Sequence, residues 1–299
     1  MIQKNKLGIS LGLLSGLLWA IYLFLLDRSY SETVYSIFFS SLILFLLNEF
    51  FALIWLTLVY RGKNISGLLP HRNTIGKRWW FFSISPIGTL FYILAIIIAD
   101  SVTVSVVSSI YPILAVFLTR LILDRKITLF HYFLAMLSFS GILLFSLNGL
   151  TDINVNFYGV LFSLICAFCW AGESILCRYY AEVNIDTDLL LSVKYIVSVI
   201  IGILIFFIYL FNNPSINLSL IFEYKWLFFI AIISLLSYLF YYRAIGTIGS
   251  VYALNLNITY VFWTIVFTAL STGVSIYSIL GSAAILLSIF LISTQKDNV

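Results

Sequence analysis

Long apolar segments follow one another along nearly the whole chain, separated by short polar stretches. Each is about 20 residues long, which is enough for a helix to cross a hydrocarbon core of about 30 Å. The first half of the chain predicts five spans, at residues 7–26, 34–59, 80–99, 101–123 and 128–148. The second half predicts five more, at 157–178, 189–211, 225–243, 250–270 and 275–293. The pattern therefore predicts an all-α membrane protein with ten transmembrane helices.

Composition and charge agree with a membrane protein. The chain is 62% hydrophobic and 9% charged, whereas a soluble domain has about 25% charged residues. The N-terminal apolar run is too long for a signal peptide and predicts a retained first span. The net charge of +4 is spread over short loops, so no nucleic-acid partner is expected.

The distribution of basic residues predicts the orientation. Ten spans place both termini on one side of the membrane. If that side is the cytoplasm, Arg28 and Lys225 lie outside and Lys194 lies within span seven. The other thirteen lie inside: Lys4, Lys6, Arg61, Lys63, Arg72, Lys77, Arg78, Arg120, Arg125, Lys126, Arg178, Arg243 and Lys296. This asymmetry predicts a multi-pass protein of the cytoplasmic (inner) membrane with cytoplasmic termini.

The two halves of the chain resemble each other. Spans one and six align Gly8 with Gly159 and Trp19 with Trp170. Further identities, in the same order, align Ala95, Ser101, Val102 and Tyr111 with Ala244, Ser250, Val251 and Tyr260. Because five spans is an odd number, two such repeats must be inverted in the membrane, as in many secondary transporters. We therefore predict two five-helix repeats, at residues 1–150 and 151–299.

A carboxylate in the middle of span six is the strongest candidate for a binding group. Glu173 is the only acidic residue in that span, and Trp170 lies one helical turn before it on the same face. Ionisable groups inside a bilayer cost about 2.5–3.5 kcal/mol on insertion scales, so they usually face a cavity. A carboxylate with aromatic faces suits a quaternary ammonium group, which has no N–H to donate. The candidate substrate-binding residues are Trp19, Tyr111, Trp170, Glu173, Asn257, Tyr260 and Trp263.

Other readings of these residues stay open. Because aromatic residues make up 18% of the chain, any one of them could simply pack or face lipid. Lys194 could form a buried ion pair with Glu173, or extend to the cytoplasmic surface. Glu49 lies near the centre of span two with no basic residue evident at its depth. Burial favours the neutral form of a carboxyl group, which makes Glu49 a candidate for proton coupling.

Several features indicate packing rather than chemistry. Cys166, Cys169 and Cys177 lie on one apolar span without a nearby histidine, so helix packing is expected rather than metal or redox chemistry. The spacing of Gly8, Gly12 and Gly16 favours close helix contact inside the bundle over dimerisation. Pro112 predicts a kink in span four. Since no nucleotide-binding or metal-binding motif is present, we expect no cofactor and no enzymatic activity.

Longer segments resemble a known transporter family. SVTVSVVSSIYPILAVFLTRLILDRKIT, followed by SFSGILLFS, is similar to the EamA-type repeat of the drug/metabolite transporter superfamily. CAFCWAGESIL, VSSIYPILAVF and NLNITYVFWTIVF resemble the bacterial choline permeases of the LicB type. The resemblance implies the ten-helix inverted-repeat fold and the import of choline. Its motifs match Trp19, Tyr111, Trp170, Glu173, Asn257, Tyr260 and Trp263.

The chain departs from this family at two positions. Glu49 stands where the family pattern has an aspartate following a histidine, and here Asn48 replaces that histidine. Val261 stands where the repeat would place a proline, a trait that LicB-type members share. The first departure weakens the expectation of a two-residue proton relay.

The sequence therefore predicts a secondary active transporter that imports choline or a related quaternary ammonium compound by alternating access, with protons as an optional coupling ion. Its expected partners are a choline-like cation and membrane lipid, and its expected state is a monomer or homodimer. One alternative is an exporter of amino acids or other amphipathic metabolites, whose carboxylates would need a cationic or amide-rich partner. Another is a membrane scaffold or integral-membrane enzyme.

Overall fold

The computed structural model describes residues 2–29, 37–59, 81–99, 101–123, 156–214, 222 and 224–272, with isolated positions near the predicted fifth and tenth spans. These residues are helical or in short turns, and no strand occurs among them. They form ten helices: α1 Ile2–Ser29, α2 Ile37–Val59, α3 Phe81–Ile98, α4 Ser101–Ser108, α5 Tyr111–Leu123, α6 Phe157–Glu182, α7 Thr187–Asn212, α8 Leu227–Ile248, α9 Ser250–Asn257 and α10 Thr259–Thr272.

Among the described residues, six segments are long and apolar enough to cross a membrane. They are Lys6–Leu26, Ile37–Leu58, Thr103–Ile122, Phe157–Glu182, Thr187–Asn212 and Leu227–Ile248, and Phe82–Ile98 is a shorter apolar helix. The described parts of the chain thus form an all-α, multi-pass membrane protein. Predicted spans five and ten lie mostly outside the described residues, so the count of ten spans and the inverted arrangement stay predictions.

Two of the predicted spans are interrupted near their centres. Predicted span four consists of α4 and α5, which are separated by a turn at Ser109 and Ile110 just before Pro112. Proline cannot donate a backbone hydrogen bond, which accounts for this interruption. Predicted span nine consists of α9 and α10, which meet at Ile258 without any proline. The predicted kink is therefore a local interruption of the helix, and a second interruption occurs at Ile258, where the sequence predicted a continuous helix. We call these two positions breaks.

Glycines bring α1 close to the second half of the chain. A Cβ atom added to Gly8 would lie 2.5 Å from Ile248, and one added to Gly12 would lie 2.7 Å from Leu256. Gly16 faces the break between α9 and α10, where an added Cβ would lie 2.6 Å from the carbonyl oxygen of Asn257. These contacts confirm the prediction that the glycine stripe packs inside the bundle.

Helices α6, α7 and α8 are connected near their ends by capping side chains, a short turn and an ion pair. Asn156 caps the start of α6 and Asp186 caps the start of α7 through their side-chain oxygens. A turn of four residues joins α6 to α7, so the two helices run in opposite directions. Arg243, near the end of α8, donates to both carboxylate oxygens of Asp188 at 3.0 and 2.9 Å, which ties α8 to the start of α7.

Candidate functional site: an aromatic cavity with a buried carboxylate

A cavity lies between five helices near the two breaks. It contains about 330 Å³ of empty space, part of which is open to the surroundings. Its walls come from α1, α5, α6, α8 and α9, so both halves of the chain contribute. The lining residues are Ser15, Trp19, Tyr111, Trp170, Glu173, Ser237, Tyr238, Tyr241 and Asn257.

Trp19 organises the aromatic wall of this cavity. Its ring meets Trp170 at a centroid distance of 5.5 Å and an interplanar angle of 82°, and it meets Tyr238 at 5.5 Å and 90°. Trp170 in turn contacts Tyr111 edge-on at 6.1 Å and Tyr92 at 4.7 Å. Edge-to-face contacts of this kind fix ring orientation. The aromatic surfaces of the cavity are therefore held in place by one another.

The helix α3 sets the position of Trp170 through a glycine. A Cβ atom added to Gly88 would lie 2.8 Å from the Cβ of Cys169, 3.2 Å from Cδ1 of Trp170 and 3.4 Å from its Nε1. Only a residue without a side chain lets α3 and α6 approach this closely. Gly88 therefore acts as the back support of the Trp170 indole.

Glu173 is the acidic residue among the described lining residues of the cavity. The residue is 1% exposed, and its Oε1 accepts a hydrogen bond of 2.5 Å from the hydroxyl of Tyr242 on α8. As predicted, Trp170 and Glu173 share one face of α6, and both line the cavity. No lysine, arginine or histidine is among the described lining residues, so a cationic ligand would be the natural partner of this carboxylate.

A hydrogen-bonded polar cluster forms another part of the wall. The amide nitrogen of Asn257 donates to Ser15 Oγ at 2.7 Å, and the hydroxyl of Tyr111 donates to Asn257 Oδ1 at 2.9 Å. Ser15 and Ser237 each donate to the backbone carbonyl of the other, at 2.9 and 2.8 Å. The cluster ties α1, α5, α8 and the end of α9 together around the cavity.

The buried lysine pairs with a different carboxylate from the one the sequence suggested. Lys194 Nζ lies 2.8 Å from Glu49 Oε2, and both side chains are 1% exposed. The same ammonium group lies 4.1 Å from the ring centre of Tyr195 and 4.2 Å from that of Tyr238. The proposed Glu173–Lys194 ion pair and the extension of Lys194 to the surface are therefore both wrong. So is the expectation that Glu49 has no basic residue at its depth.

The structure places most of the predicted site residues together. Trp19, Tyr111, Trp170, Glu173 and Asn257 line the cavity. Two further candidates are absent from the described lining: the buried hydroxyl of Tyr260 lies 2.8 Å from that of Ser108, and Trp263 stacks on Phe267 at 6.4 Å. Glu49 lies behind the wall, beside Lys194.

Sequence reasoning missed the contribution of α8. Ser237, Tyr238 and Tyr241 line the cavity and Tyr242 binds the carboxylate, yet this helix carries no buried charge that would draw attention to it. The run YLFYYR places three tyrosines within five positions. That clustering was the available signal, because tyrosine hydroxyls inside a membrane bundle need polar partners.

Comparison with known proteins gives related sequences and a related fold. Protein LicB of Haemophilus influenzae is 31% identical over 183 residues, which is 60% of this chain and 61% of that protein. The match therefore spans about three-fifths of the length of this relative. A solved crystal structure of a protein 17% identical superposes on 95% of this chain and on 96% of its own, with a TM-score of 0.65. That likeness concerns the fold alone.

The family comparison covers nearly the whole chain. The model of the EamA-like transporter family matches residues 6–147 and matches again at residues 157–294. Two matches to a family of membrane transporters agree with a helical bundle that surrounds a cavity. The chain belongs to the EamA-like transporter family.

Proposed function

We propose that this transporter imports choline or a closely related quaternary ammonium compound across the cytoplasmic membrane by alternating access. The observation that carries the proposal is the cavity in which Glu173 is surrounded by aromatic side chains from α1, α5, α6 and α8. A quaternary ammonium group cannot donate hydrogen bonds. It is attracted to aromatic faces, each contributing about 0.5–2 kcal/mol, and to a nearby carboxylate. The resemblance to LicB-type permeases supports the same substrate class.

The distribution of charge argues against the export of amino acids. An amino acid carries a carboxylate, which would need a cationic partner in the cavity. Lys194 is the basic residue that could have supplied it, but its ammonium group is bound to Glu49 and does not line the cavity. Among the described lining residues the one charged group is the carboxylate of Glu173. A free substrate carboxylate would be repelled by it.

Import is the direction that the membrane potential favours for a cation. An inside-negative potential of 100 mV contributes about 2.3 kcal/mol per elementary charge, which corresponds to about fiftyfold accumulation. A carrier for a monovalent cation therefore needs no coupling ion to concentrate its substrate. Proton coupling through Glu49 stays a prediction, and it would require the ion pair with Lys194 to change its protonation during the cycle.

A ligand panel tests the substrate class directly. Purified protein would be titrated by calorimetry with choline, tetramethylammonium, betaine and alanine. Choline and tetramethylammonium are expected to bind, because both present a methylated cation without a carboxylate. Betaine is the matched control: it has the same trimethylammonium group and adds a carboxylate that Glu173 should repel. Binding of betaine or alanine in preference to choline would contradict the proposal.

A transport assay tests the direction and the driving force. Proteoliposomes loaded with potassium and treated with valinomycin develop an inside-negative potential, which should accelerate the uptake of labelled choline. Reversing the potassium gradient should slow uptake in the same vesicles. Uptake that is indifferent to the potential and follows an imposed pH gradient would replace the potential-driven scheme with proton exchange.

A further inference from the structure

The two broken spans are joined to each other by tyrosine hydroxyls. Tyr111 is the first residue of α5, just after the first break. Its hydroxyl donates to Asn257 Oδ1 at 2.9 Å and lies 3.3 Å from the carbonyl oxygen of Leu254. Both acceptors belong to the last turn of α9, just before the second break.

The second break repeats this arrangement in reverse. Tyr260 is the second residue of α10, just after the break at Ile258. Its hydroxyl lies 2.8 Å from Ser108 Oγ and donates to the carbonyl oxygen of Ser105 at 3.1 Å. Ser105 and Ser108 belong to the last turn of α4, just before the first break. We call the two sets of contacts the crossed tyrosine pair.

The crossed tyrosine pair is symmetric in the sequence. The same interval along the chain separates Tyr111 from Tyr260, Ser105 from Leu254 and Ser108 from Asn257. Exchanging the two halves of the chain therefore converts each set of hydrogen bonds into the other. The family model matches both halves, which is consistent with equivalent positions in two repeats.

This symmetry has a consequence for alternating access. In transporters built from two repeats, one repeat or bundle rocks against the other around a fixed site. Suppose that the inward-facing and outward-facing states differ by an exchange of conformation between the two repeats. A set of contacts that this exchange leaves unchanged as a whole is then formed in both states. Contacts without a counterpart are free to differ. The bond between Tyr242 and Glu173 has no counterpart, since Ile93 stands at the position equivalent to Tyr242.

We propose that Tyr111 and Tyr260 are positioning residues that form a fixed pivot, with both sets of hydrogen bonds kept in the inward-facing and the outward-facing state. The bonds are suited to this role because Tyr111, Tyr260 and Ser108 are all buried, so water does not compete for them. Tyr260 then serves the cycle without touching the substrate. The proposal rests on transport by the family and not on choline.

Accessibility of the cavity from each side of the membrane tests the pivot. Ser237 would be replaced by cysteine in a background in which Cys166, Cys169 and Cys177 are serine. A membrane-impermeant thiol reagent would be applied to right-side-out and to inside-out vesicles, without any substrate. The ratio of the two labelling rates reports the balance between outward-facing and inward-facing molecules. The ratio would be compared among the Ser237→Cys background, Tyr111→Phe and Tyr260→Phe.

A pivot and a gate give different results. If both bonds persist in both states, each phenylalanine variant destabilises the inward-facing and the outward-facing state by the same amount. The labelling ratio should then stay within about twofold, and turnover should fall similarly in both variants. If each bond forms in one state only, each loss should shift the ratio by about two- to twelvefold, in opposite directions for the two variants. That outcome would overturn the proposal.

A milder variant covers the case in which a phenylalanine variant fails to fold. Ser108→Ala removes the hydroxyl that lies 2.8 Å from the Tyr260 hydroxyl and leaves the bond from Tyr260 to the carbonyl of Ser105. It should also leave the labelling ratio unchanged, and a shift beyond twofold would count against the pivot. Since no substrate is added, a negative result here leaves the choline assignment untouched, and the failure of choline to bind leaves the pivot untouched.

Discussion

Glu49 and Glu173 are both buried carboxylates within the bundle, and their surroundings differ in one decisive way. Glu49 is bound to the ammonium group of Lys194, which also lies over two tyrosine rings. Glu173 has a tyrosine hydroxyl as its partner and faces a cavity lined with aromatic rings. The first carboxylate forms a direct ion pair with a lysine, whereas the second faces the cavity and has no direct ion pair among the described residues.

The Glu49–Lys194 ion pair and the cavity of Glu173 share one aromatic side chain, that of Tyr238. Tyr238 packs against the ammonium group of Lys194 and also lines the cavity. The internal site thus shows that a carboxylate together with tyrosine rings holds a cation in this bundle. A buried charge without its counter-ion is strongly unfavourable. Burial of a carboxylate alone therefore says little about function; what matters is whether the protein already supplies the opposite charge.

The largest effect should come from breaking the ion pair between Lys194 and Glu49. Lys194→Met leaves Glu49 buried without its counter-ion, so we expect unfolding to become easier by about 3–5 kcal/mol. Thermal unfolding in detergent measures the change. The double variant with Glu49→Gln should recover most of the loss, because it removes the unpaired charge. Equal stability of the single and double variants would show that the two residues are not paired.

The second largest effect should come from changing Glu173, and it should appear in choline binding rather than in the stability of the fold. Glu173→Gln removes the charge but keeps an oxygen that can accept from Tyr242, so the fold should survive. Choline affinity should fall about a hundredfold, as expected for losing one opposite charge at short range in a partly screened site. The matched control is Glu182→Gln, which alters a partly exposed carboxylate that is paired with Arg178 and does not line the cavity. Unchanged affinity in Glu173→Gln would remove its role as counter-ion.

A smaller effect should come from the glycine behind Trp170. Gly88→Ala adds a methyl group against Cys169 and the indole, and overpacking of this kind costs about 1–3 kcal/mol. Choline affinity should fall as well, since the indole is displaced. Gly172→Ala is the control, because its added Cβ would meet only Ile84 at 3.8 Å, an ordinary contact. Equal behaviour of the two variants in thermal unfolding and in titration would contradict this account.

The smallest effect should come from removing single aromatic rings. One ring lies in the cavity and the other lies beside Lys194, so the two losses can be compared. Trp170→Leu removes a ring that lines the cavity, so choline affinity should fall about two- to thirtyfold. Tyr195→Leu removes a ring beside Lys194 that does not line the cavity, and it should leave the affinity within about twofold. Calorimetric titration of both variants makes the comparison. A larger loss in Tyr195→Leu would mean that the two sites are coupled through Lys194.

The sequence predicted the part of the site that lies on one helix or carries a rare residue type. Trp170 and Glu173 were predicted together because a spacing of three places them on one helical face. Trp19 and Tyr111 were predicted because they are aromatic residues within the spans and match motifs of the family that the chain resembles. For α8 the available signal was the cluster of Tyr238, Tyr241 and Tyr242, whose spacing places them on one helical face. That this face meets the cavity is decided by packing, which the sequence pattern does not show.

The partner of Lys194 was wrong for a related reason. The sequence argument estimated the depth of a residue in the membrane by counting positions from a loop that two helices share. This method can pair residues only on consecutive helices, here α6 and α7. In the structure α7 also packs along α2, a helix far away in the sequence, and it is α2 that presents Glu49. The break at Ile258 was missed because no proline marks it. Its position is set by contacts with α1 and α5, which no local pattern records.

The glycine stripe of α1 has a consequence for how the protein is assembled. Helix α1 leaves the ribosome before the other described helices, yet it packs against Ile248, Leu256 and the break at Ile258, all of which are synthesised much later. Its close-contact face must therefore wait in the lipid, or against temporary neighbours, until the second half has been inserted. Two residues that line the cavity, Ser15 and Trp19, belong to this helix. The binding site is thus completed late, as a step of helix docking, and a chain truncated before α8 would carry half of its walls and no cavity.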